Sequence, residues 1–106
     1  HLNVALKQVA QLLNDKNLSI QREALLTILE LSNEANAMEV LEIARTTPLR
    51  VASRLLTHTI LLAGASSVDT AKELLDGTHP IIGKTRWLER NRKLMRRARR
   101  ILRKYN

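Results

Sequence analysis

The sequence repeats itself at a spacing of 31 residues, and this period constrains the fold more than any other feature. Apolar residues coincide in register, at Val9, Val40 and Ala71 in the first half of each unit and at Leu25, Leu56 and Trp87 in the second half. Periods of roughly 20 to 50 residues are typical of arrays in which each unit is one supersecondary element. We therefore divide the chain into three units, at about 2–33, 34–64 and 65–104.

The first unit predicts a helix, a short turn and a second helix. Its first helix carries an apolar stripe at three- and four-residue steps, formed by Leu6, Val9, Leu12 and Leu13. The segment NDKN at 14–17 ends that helix, because Asn and Asp side chains bond locally to the backbone and favour turns. We expect Ser19 to cap the second helix. The inward positions of that helix are predicted to be Ile20, Ala24, Leu25, Ile28 and Leu29.

The second and third units follow the same plan. In the second, helices are predicted from Met38 to Arg45 and from Leu49 to Leu62, with Pro48 opening the latter and Gly64 ending it. In the third, Ser66 or Ser67 is expected to cap a helix that breaks at 76–80, and the final helix runs to about Lys104, longer than its counterparts. The predicted fold is all-α, one domain over 1–106, an α-solenoid of about three antiparallel helix pairs.

Composition excludes several classes of protein. The chain has no cysteine, which excludes disulfides, thiolate metal sites and thiol nucleophiles, and fits an intracellular protein. No continuous apolar run approaches the roughly 18 residues that cross a bilayer, so we expect a soluble protein. The sequence begins at His1 rather than at Met, and we expect it to be a piece of a longer protein.

The stretch LLNDKNLSIQREALLTILELSN, at 12–33, resembles a HEAT repeat. The likeness lies in a Leu pair, an Asp-containing turn, an aliphatic Ile20, basic Arg22 and small Ala24 before a Leu-rich helix. Units of this length resemble the short HEAT-like class that includes phycobilisome-lyase-type repeats. The resemblance implies a scaffold that binds proteins or nucleic acids, although the alkylpurine DNA glycosylases of HEAT-like fold are enzymes. Fold analogy does not choose between these functions.

The sequence holds no catalytic or metal-binding motif. His1, His58 and His79 lie far apart; His58 is expected to be a partly buried histidine and His79 a turn residue. The acidic set Glu30, Glu34, Glu39 and Glu42 is interpreted as a solvated face, and the three glycines are too widely separated for a phosphate loop. We therefore predict a non-enzymatic protein with no cofactor, no metal and no small-molecule substrate.

Charge is divided sharply along the chain. Residues 1–80 hold seven Lys or Arg and nine Asp or Glu, a net charge of −2, whereas 81–106 hold eleven Lys or Arg and one Glu, a net charge of +10. On a helical wheel at about 100° per residue, the final segment separates into two arcs. The apolar arc is predicted to contain Trp87, Leu88, Asn91, Leu94, Met95, Ala98, Ile101, Leu102 and Tyr105. The basic arc contains Arg86, Arg90, Arg92, Lys93, Arg96, Arg97, Arg99, Arg100, Arg103 and Lys104.

The basic arc predicts an acidic partner. Like charges at i,i+4 repel by a few tenths of a kcal/mol each, and Glu89 is too isolated to offset several such pairs. Nucleic-acid backbone, duplex DNA or structured RNA, is the first candidate, because guanidinium groups suit bidentate phosphate contacts. An acidic protein surface is the second. A membrane surface or a helix-binding groove fits only if the segment is released from the repeats, and a plain solvated face is the remaining interpretation.

Overall fold

The computed structural model describes the backbone of residues 2–106 and the side chains from Val4 onward, so His1 lies outside the described residues. Over this range the chain is all-helical, without strands, which confirms the predicted all-α class. The α-helices are α1 (Leu2–Ala10), α2 (Leu18–Leu31), α3 (Ala37–Ile43), α4 (Leu49–Ala63), α5 (Val68–Asp76) and α6 (Arg92–Tyr105). Short 3-10 segments extend α1 through Gln11–Asn14 and α3 through Ala44–Thr46, and another, Gly64–Ser67, connects α4 to α5.

Local side chains and glycines fix most helix ends. Asn17, not Ser19, caps α2: its side-chain oxygen accepts from the backbone N–H of Ser19 at 2.9 Å and of Ile20 at 3.4 Å. Ser19 already lies within the helix, so the prediction that it caps α2 is wrong. Gly64 ends α4 at φ 55 and Gly77 ends α5 at φ 76, backbone conformations that glycine adopts without a Cβ clash.

Ser67 occupies the residue before α5, as predicted, but its side chain makes no capping hydrogen bond. Its hydroxyl instead donates to the carbonyl oxygen of Gly64 at 2.7 Å. The side chain therefore stabilises the turn between α4 and α5 rather than the first N–H groups of α5.

The helices pack in a regular order of contacts. α1 packs against α2, α3 against α4 and α5 against α6, while α2 and α6 both contact α4. The described residues span 35 × 29 × 18 Å. The core is aliphatic, and its fully buried side chains include Leu13, Ile28, Val40, Leu55, Leu56, Ile60, Leu74 and Leu94. α4 thus lies between α2 and α6 and contributes the largest share of this core.

The first helix pair is less covered than its apolar pattern predicts. Leu6 and Leu13 are buried, but Leu12, on the predicted apolar stripe, is 43% exposed. Ile20 is 40% exposed, so the prediction that it points inward is wrong. Leu12 changes face because α1 ends at Ala10 and the chain continues as a 3-10 helix with about three residues per turn. Ile20 lies in the first turn of α2, beside Leu12 in an open apolar cleft.

The segment Leu49–Asp76 has an 18-residue window with a mean hydropathy of 1.2, enough to cross a membrane by length and composition alone. Because Arg50 and Arg54 lie within this segment, it does not contradict the expectation that the chain lacks a continuous apolar run of that length. Of that window, 44% is buried inside the protein, and Gly64 divides the segment into α4 and α5. A core helix passes the same hydropathy test, so the run carries no membrane assignment.

The final segment is broken rather than one long helix, which overturns the prediction made from the wheel. It forms 3-10 turns at Gly83–Trp87 and Glu89–Asn91, with Leu88 between them in an extended conformation at φ −61 and ψ 148. α6 itself has 14 residues, the same length as α2. Trp87 is consequently 67% exposed and Leu88 37% exposed, although the wheel placed both in the apolar arc.

Asn91 holds this broken segment against α4. Its side chain is fully buried, its Oδ1 accepts from the Ser53 hydroxyl at 2.7 Å, and its Nδ2 donates to the Thr85 carbonyl at 2.8 Å. A buried amide with partners on both sides stabilises one conformation, because leaving either group unpaired carries a desolvation penalty. The connection before α6 is therefore held by one local contact, to Thr85, and by one contact to a residue 38 positions away, Ser53.

His79 anchors the connection from α5, where the break at 76–80 is confirmed. The residue lies in the connection, as predicted, and it is buried there; its Nδ1 accepts from the backbone N–H groups of Ile81 and Ile82 at 3.2 Å each. Within residues 2–106 its Nε2 has no hydrogen-bond partner. Burial lowers the pKa of His79, which keeps the ring neutral.

Candidate anion-binding surface

The basic face of α6 points away from the core. Leu94, Met95, Ala98 and Ile101 are buried, and α6 packs against α4 and α5. Its basic residues from Arg92 to Lys104 are exposed except for Arg97, which is half-buried. The apolar side of α6 is therefore covered by α4 and α5, and its basic side faces outward.

A groove of about 800 Å³ lies between α4 and α6, and we call it the basic groove. It is lined by Leu29, Arg50, Ser53, Arg54, Thr57, His58, Arg90, Lys93 and Arg97. The lining includes five Lys or Arg side chains and no carboxylate. Such a concentration of one charge sign favours an anionic ligand.

Arg97 joins the two walls of the basic groove. Its guanidinium, on α6, donates a hydrogen bond to the backbone carbonyl of Thr57 on α4. Thr57 in turn donates from its hydroxyl to the carbonyl of Ser53 at 2.6 Å. Because Arg97 is held by this contact, part of its charge is oriented across the groove before any ligand binds.

Sequence reasoning missed the cations that α4 contributes. Arg50, Arg54 and His58 recur at four-residue steps and so lie on one face of α4, opposite its apolar stripe. That spacing predicts a shared helix face, but the net negative charge of residues 1–80 drew attention away from it. His58 is exposed and lines the basic groove, so the expectation that it is partly buried is wrong.

The positive lining continues onto α2. A smaller cleft of about 100 Å³ brings Arg22 together with Arg50 and Arg54, along with Leu18, Gln21, Leu25 and Val51. Two of its arginines also line the basic groove. Cations from α2, α4 and α6 therefore form one continuous surface.

A second cleft, of about 470 Å³, lies beside α6 near α5, and we call it the tryptophan cleft. It is lined by Leu75, Arg86, Trp87, Arg92, Met95, Arg96 and Arg99. The Cζ of Arg86 lies 5.9 Å from the centre of the Trp87 ring, within the range of a cation–π contact. This cleft also lacks a carboxylate in its lining.

The ten predicted binding residues thus divide into three groups. Three line the basic groove: Arg90, Lys93 and Arg97. Four line the tryptophan cleft: Arg86, Arg92, Arg96 and Arg99. The remaining three, Arg100, Arg103 and Lys104, are exposed near the end of α6 and line neither cleft.

Of the ten predicted binding residues, only Arg92 forms a salt bridge among the described residues, so the others are not neutralised by a carboxylate. Among the described residues, salt bridges join Arg45 to Glu73 at 2.6 Å and Arg92 to Glu89 at 3.2 Å, and none involves a cation of the basic groove. The Arg92–Glu89 pair is largely exposed, so its net contribution is small. The hydrogen bond that Arg45 donates to the Glu73 carboxylate raises the pKa of Arg45, which lies outside both clefts.

Residues 2–106 hold no group of three or more His, Cys, Asp or Glu side chains placed to bind a metal ion. No protein-family model, curated protein or solved structure matches this chain. A functional conclusion therefore has to rest on the charge and geometry of the two clefts.

Proposed function

We propose that this chain binds the phosphate backbone of nucleic acid through the basic groove and the exposed face of α6. The observation that carries the proposal is the groove lining, in which Arg50, Arg54, Arg90, Lys93 and Arg97 meet without a carboxylate. Collecting these charges costs free energy through mutual repulsion, and an acidic ligand would offset that cost. The protein acts as a binding module rather than as an enzyme.

Phosphate suits this lining better than a single carboxylate does. Four of the five groove cations are arginines, whose planar guanidinium groups donate two parallel hydrogen bonds to phosphate oxygens. Arg100 and Lys104 follow Arg97 along α6 at three- and four-residue steps and so share its helix face, which lets a polymer of phosphates contact more of the surface than an isolated anion can. Binding of this kind falls steeply with salt and depends little on base sequence.

We also propose that the three helix pairs form a short HEAT-like stack. The support is the order of contacts, in which α2, α4 and α6, the second helices of the three predicted units, touch in series. Each of these helices contributes cations to one surface, as Arg22, Arg54 and Lys93 illustrate. Such arrays bind ligands along an extended surface.

Direct binding tests the function. Labelled duplex DNA and labelled structured RNA are titrated with the protein at about 50 mM and about 200 mM salt, and anisotropy is measured. Several phosphate contacts predict a loss of affinity of roughly 10³-fold or more between these conditions. Absence of binding at the lower salt, or affinity that salt does not change, overturns the proposal.

A pair of double variants assigns the binding to the groove. Arg54→Gln with Lys93→Gln removes two groove charges, whereas Lys16→Gln with Lys72→Gln removes two exposed charges elsewhere. The first pair should weaken binding and the second should leave it nearly unchanged. Both pairs alter net charge equally, so a general effect of net charge would weaken both to the same extent.

An acidic protein surface is the alternative occupant of the same groove, and competition distinguishes it. Poly-glutamate of matched total charge is added to the preformed nucleic-acid complex. We expect it to compete poorly, because carboxylates on flexible side chains do not reproduce the spacing of backbone phosphates. Competition equal to that of unlabelled nucleic acid would favour a protein partner instead.

A further inference from the structure

Trp87 is the only tryptophan of the chain, and the structure leaves it 67% exposed. An indole normally contributes its large apolar surface to a core or to an interface. Here the extended backbone at Leu88 turns the residue out of the helix that would have buried it. The connection is held by the buried Asn91, so the exposure of Trp87 belongs to the fixed fold.

The surroundings of Trp87 combine apolar and cationic groups. Leu75 and Met95 provide the apolar part of the tryptophan cleft, and Arg92, Arg96 and Arg99 provide its charge. Arg86 lies near the ring, 5.9 Å from its centre, but most of the indole surface remains open. Glu89 is the nearby acid, and it pairs with Arg92 at the exposed rim.

We propose that the tryptophan cleft binds an unpaired base of single-stranded nucleic acid, which stacks on Trp87 while Arg96 and Arg99 contact the adjacent phosphates. Aromatic side chains beside cations are the arrangement by which proteins bind single strands, since every base has a π-face. A base inside a duplex cannot occupy the cleft, because both of its faces are already stacked. The helical wheel assigned Trp87 to the apolar arc, where its ring would be unavailable for stacking, but the structure leaves the ring exposed.

This inference rests on the proposed function for its phosphate contacts, and it adds the substrate class. The basic groove selects for a phosphate polymer, and the tryptophan cleft selects for strands with unpaired bases. The chain should therefore prefer single-stranded regions to a fully paired duplex of equal length.

Intrinsic fluorescence reports on the stacking directly, because Trp87 is the sole tryptophan. The protein is titrated at low salt with a single-stranded oligonucleotide, with an abasic oligonucleotide of the same length and with the duplex. Binding of each is followed independently by anisotropy of an end label. We expect strong quenching at saturation with the single strand and little quenching at saturation with the abasic strand or the duplex.

Variants give the energetic test on the same labelled single strand. Trp87→Ala should weaken its binding by roughly 5- to 150-fold, the range that corresponds to the loss of one stacked base. Trp87→Phe should retain most of the affinity, because a smaller ring still stacks. Met38→Ala, which truncates a side chain that is 60% exposed on α3, is the matched control and should bind like the parent chain.

The outcomes separate this inference from the proposed function. Binding of all three oligonucleotides with equal quenching, or unchanged affinity in Trp87→Ala, overturns base stacking and leaves phosphate binding in place. Failure of every oligonucleotide to bind at low salt overturns both. A blue-shifted emission with anionic lipid vesicles, without quenching by the single strand, would assign Trp87 to a membrane surface and overturn the inference.

Discussion

Asn91→Ala should destabilise the fold by about 2 to 3 kcal/mol, because the amide forms two hydrogen bonds in a buried position. The substitution leaves the Thr85 carbonyl without the donor now 2.8 Å away, and the Ser53 hydroxyl without the acceptor now 2.7 Å away. Ser53 keeps only a long contact to the carbonyl of Arg90 at 3.5 Å. Most of the cost therefore arises from desolvated groups that lose their partners.

Urea unfolding followed by far-UV circular dichroism measures this free energy. Asn14→Ala, at an exposed asparagine, is the control and should change stability by less than about 0.5 kcal/mol. Ser53→Ala with Asn91→Ala should cost less than the two single substitutions added together, since the two side chains share one hydrogen bond. A cost for Asn91→Ala no larger than that of the control would refute the reasoning that Asn91 fixes the connection before α6.

Two further predictions concern the connection between α5 and α6. Burial lowers the pKa of His79 in the folded state, while Glu73 raises it and Arg45 lowers it by smaller amounts. The unfolded chain therefore binds more protons than the folded chain at acidic pH, so the free energy of unfolding should fall as pH decreases through about 6.5. Urea unfolding midpoints at two pH values measure this fall. His79→Asn keeps an acceptor for the two N–H groups and should make the midpoint less dependent on pH. An unchanged pH dependence in this variant would contradict its assignment to His79. Gly77→Ala should destabilise by about 1 to 2 kcal/mol, because φ is 76 and the new Cβ would meet the guanidinium of Arg86. Thermal unfolding checks this value, and a neutral result would show that the left-handed turn is not required.

The local parts of the fold could be predicted from the sequence. Asn and Asp at 14–17, Pro48, Gly64 and the break at 76–80 mark helix ends through short-range backbone preferences, and the structure has helix ends at each of them. The helices predicted from Met38 to Arg45 and from Leu49 to Leu62 also lie close to the observed α3 and α4. These features depend on residues within a few positions of one another.

The break before α6 could not be predicted, because one of the two contacts that hold it is distant in sequence. Asn91 meets Ser53, a residue of α4, and the wheel assumed a constant rotation per residue across Leu88. The same assumption placed Trp87 in the core. The arginines from 92 onward were assigned to the outer face, and all of them except the half-buried Arg97 are exposed, since that part of the chain is a continuous helix.

The sequence predicted the α6 side of the candidate site but not the α4 side. The charge excess after residue 80 indicated α6, but the groove also needs Arg50 and Arg54, whose charges are hidden within an acidic first part of the chain. Their four-residue spacing was a sign of a shared helix face. Only the packing of α4 against α6 shows that this face meets the basic side of α6.

The most direct test of the central claim is the salt dependence of nucleic-acid affinity in the groove variants. The logarithm of Kd is plotted against the logarithm of salt concentration for the parent chain, for Arg54→Gln with Lys93→Gln, and for the control Lys16→Gln with Lys72→Gln. Loss of two phosphate contacts should reduce the slope of the groove variant by about 1.4 to 1.8, and the control slope should equal that of the parent. Equal slopes for all three proteins would contradict phosphate binding in the basic groove.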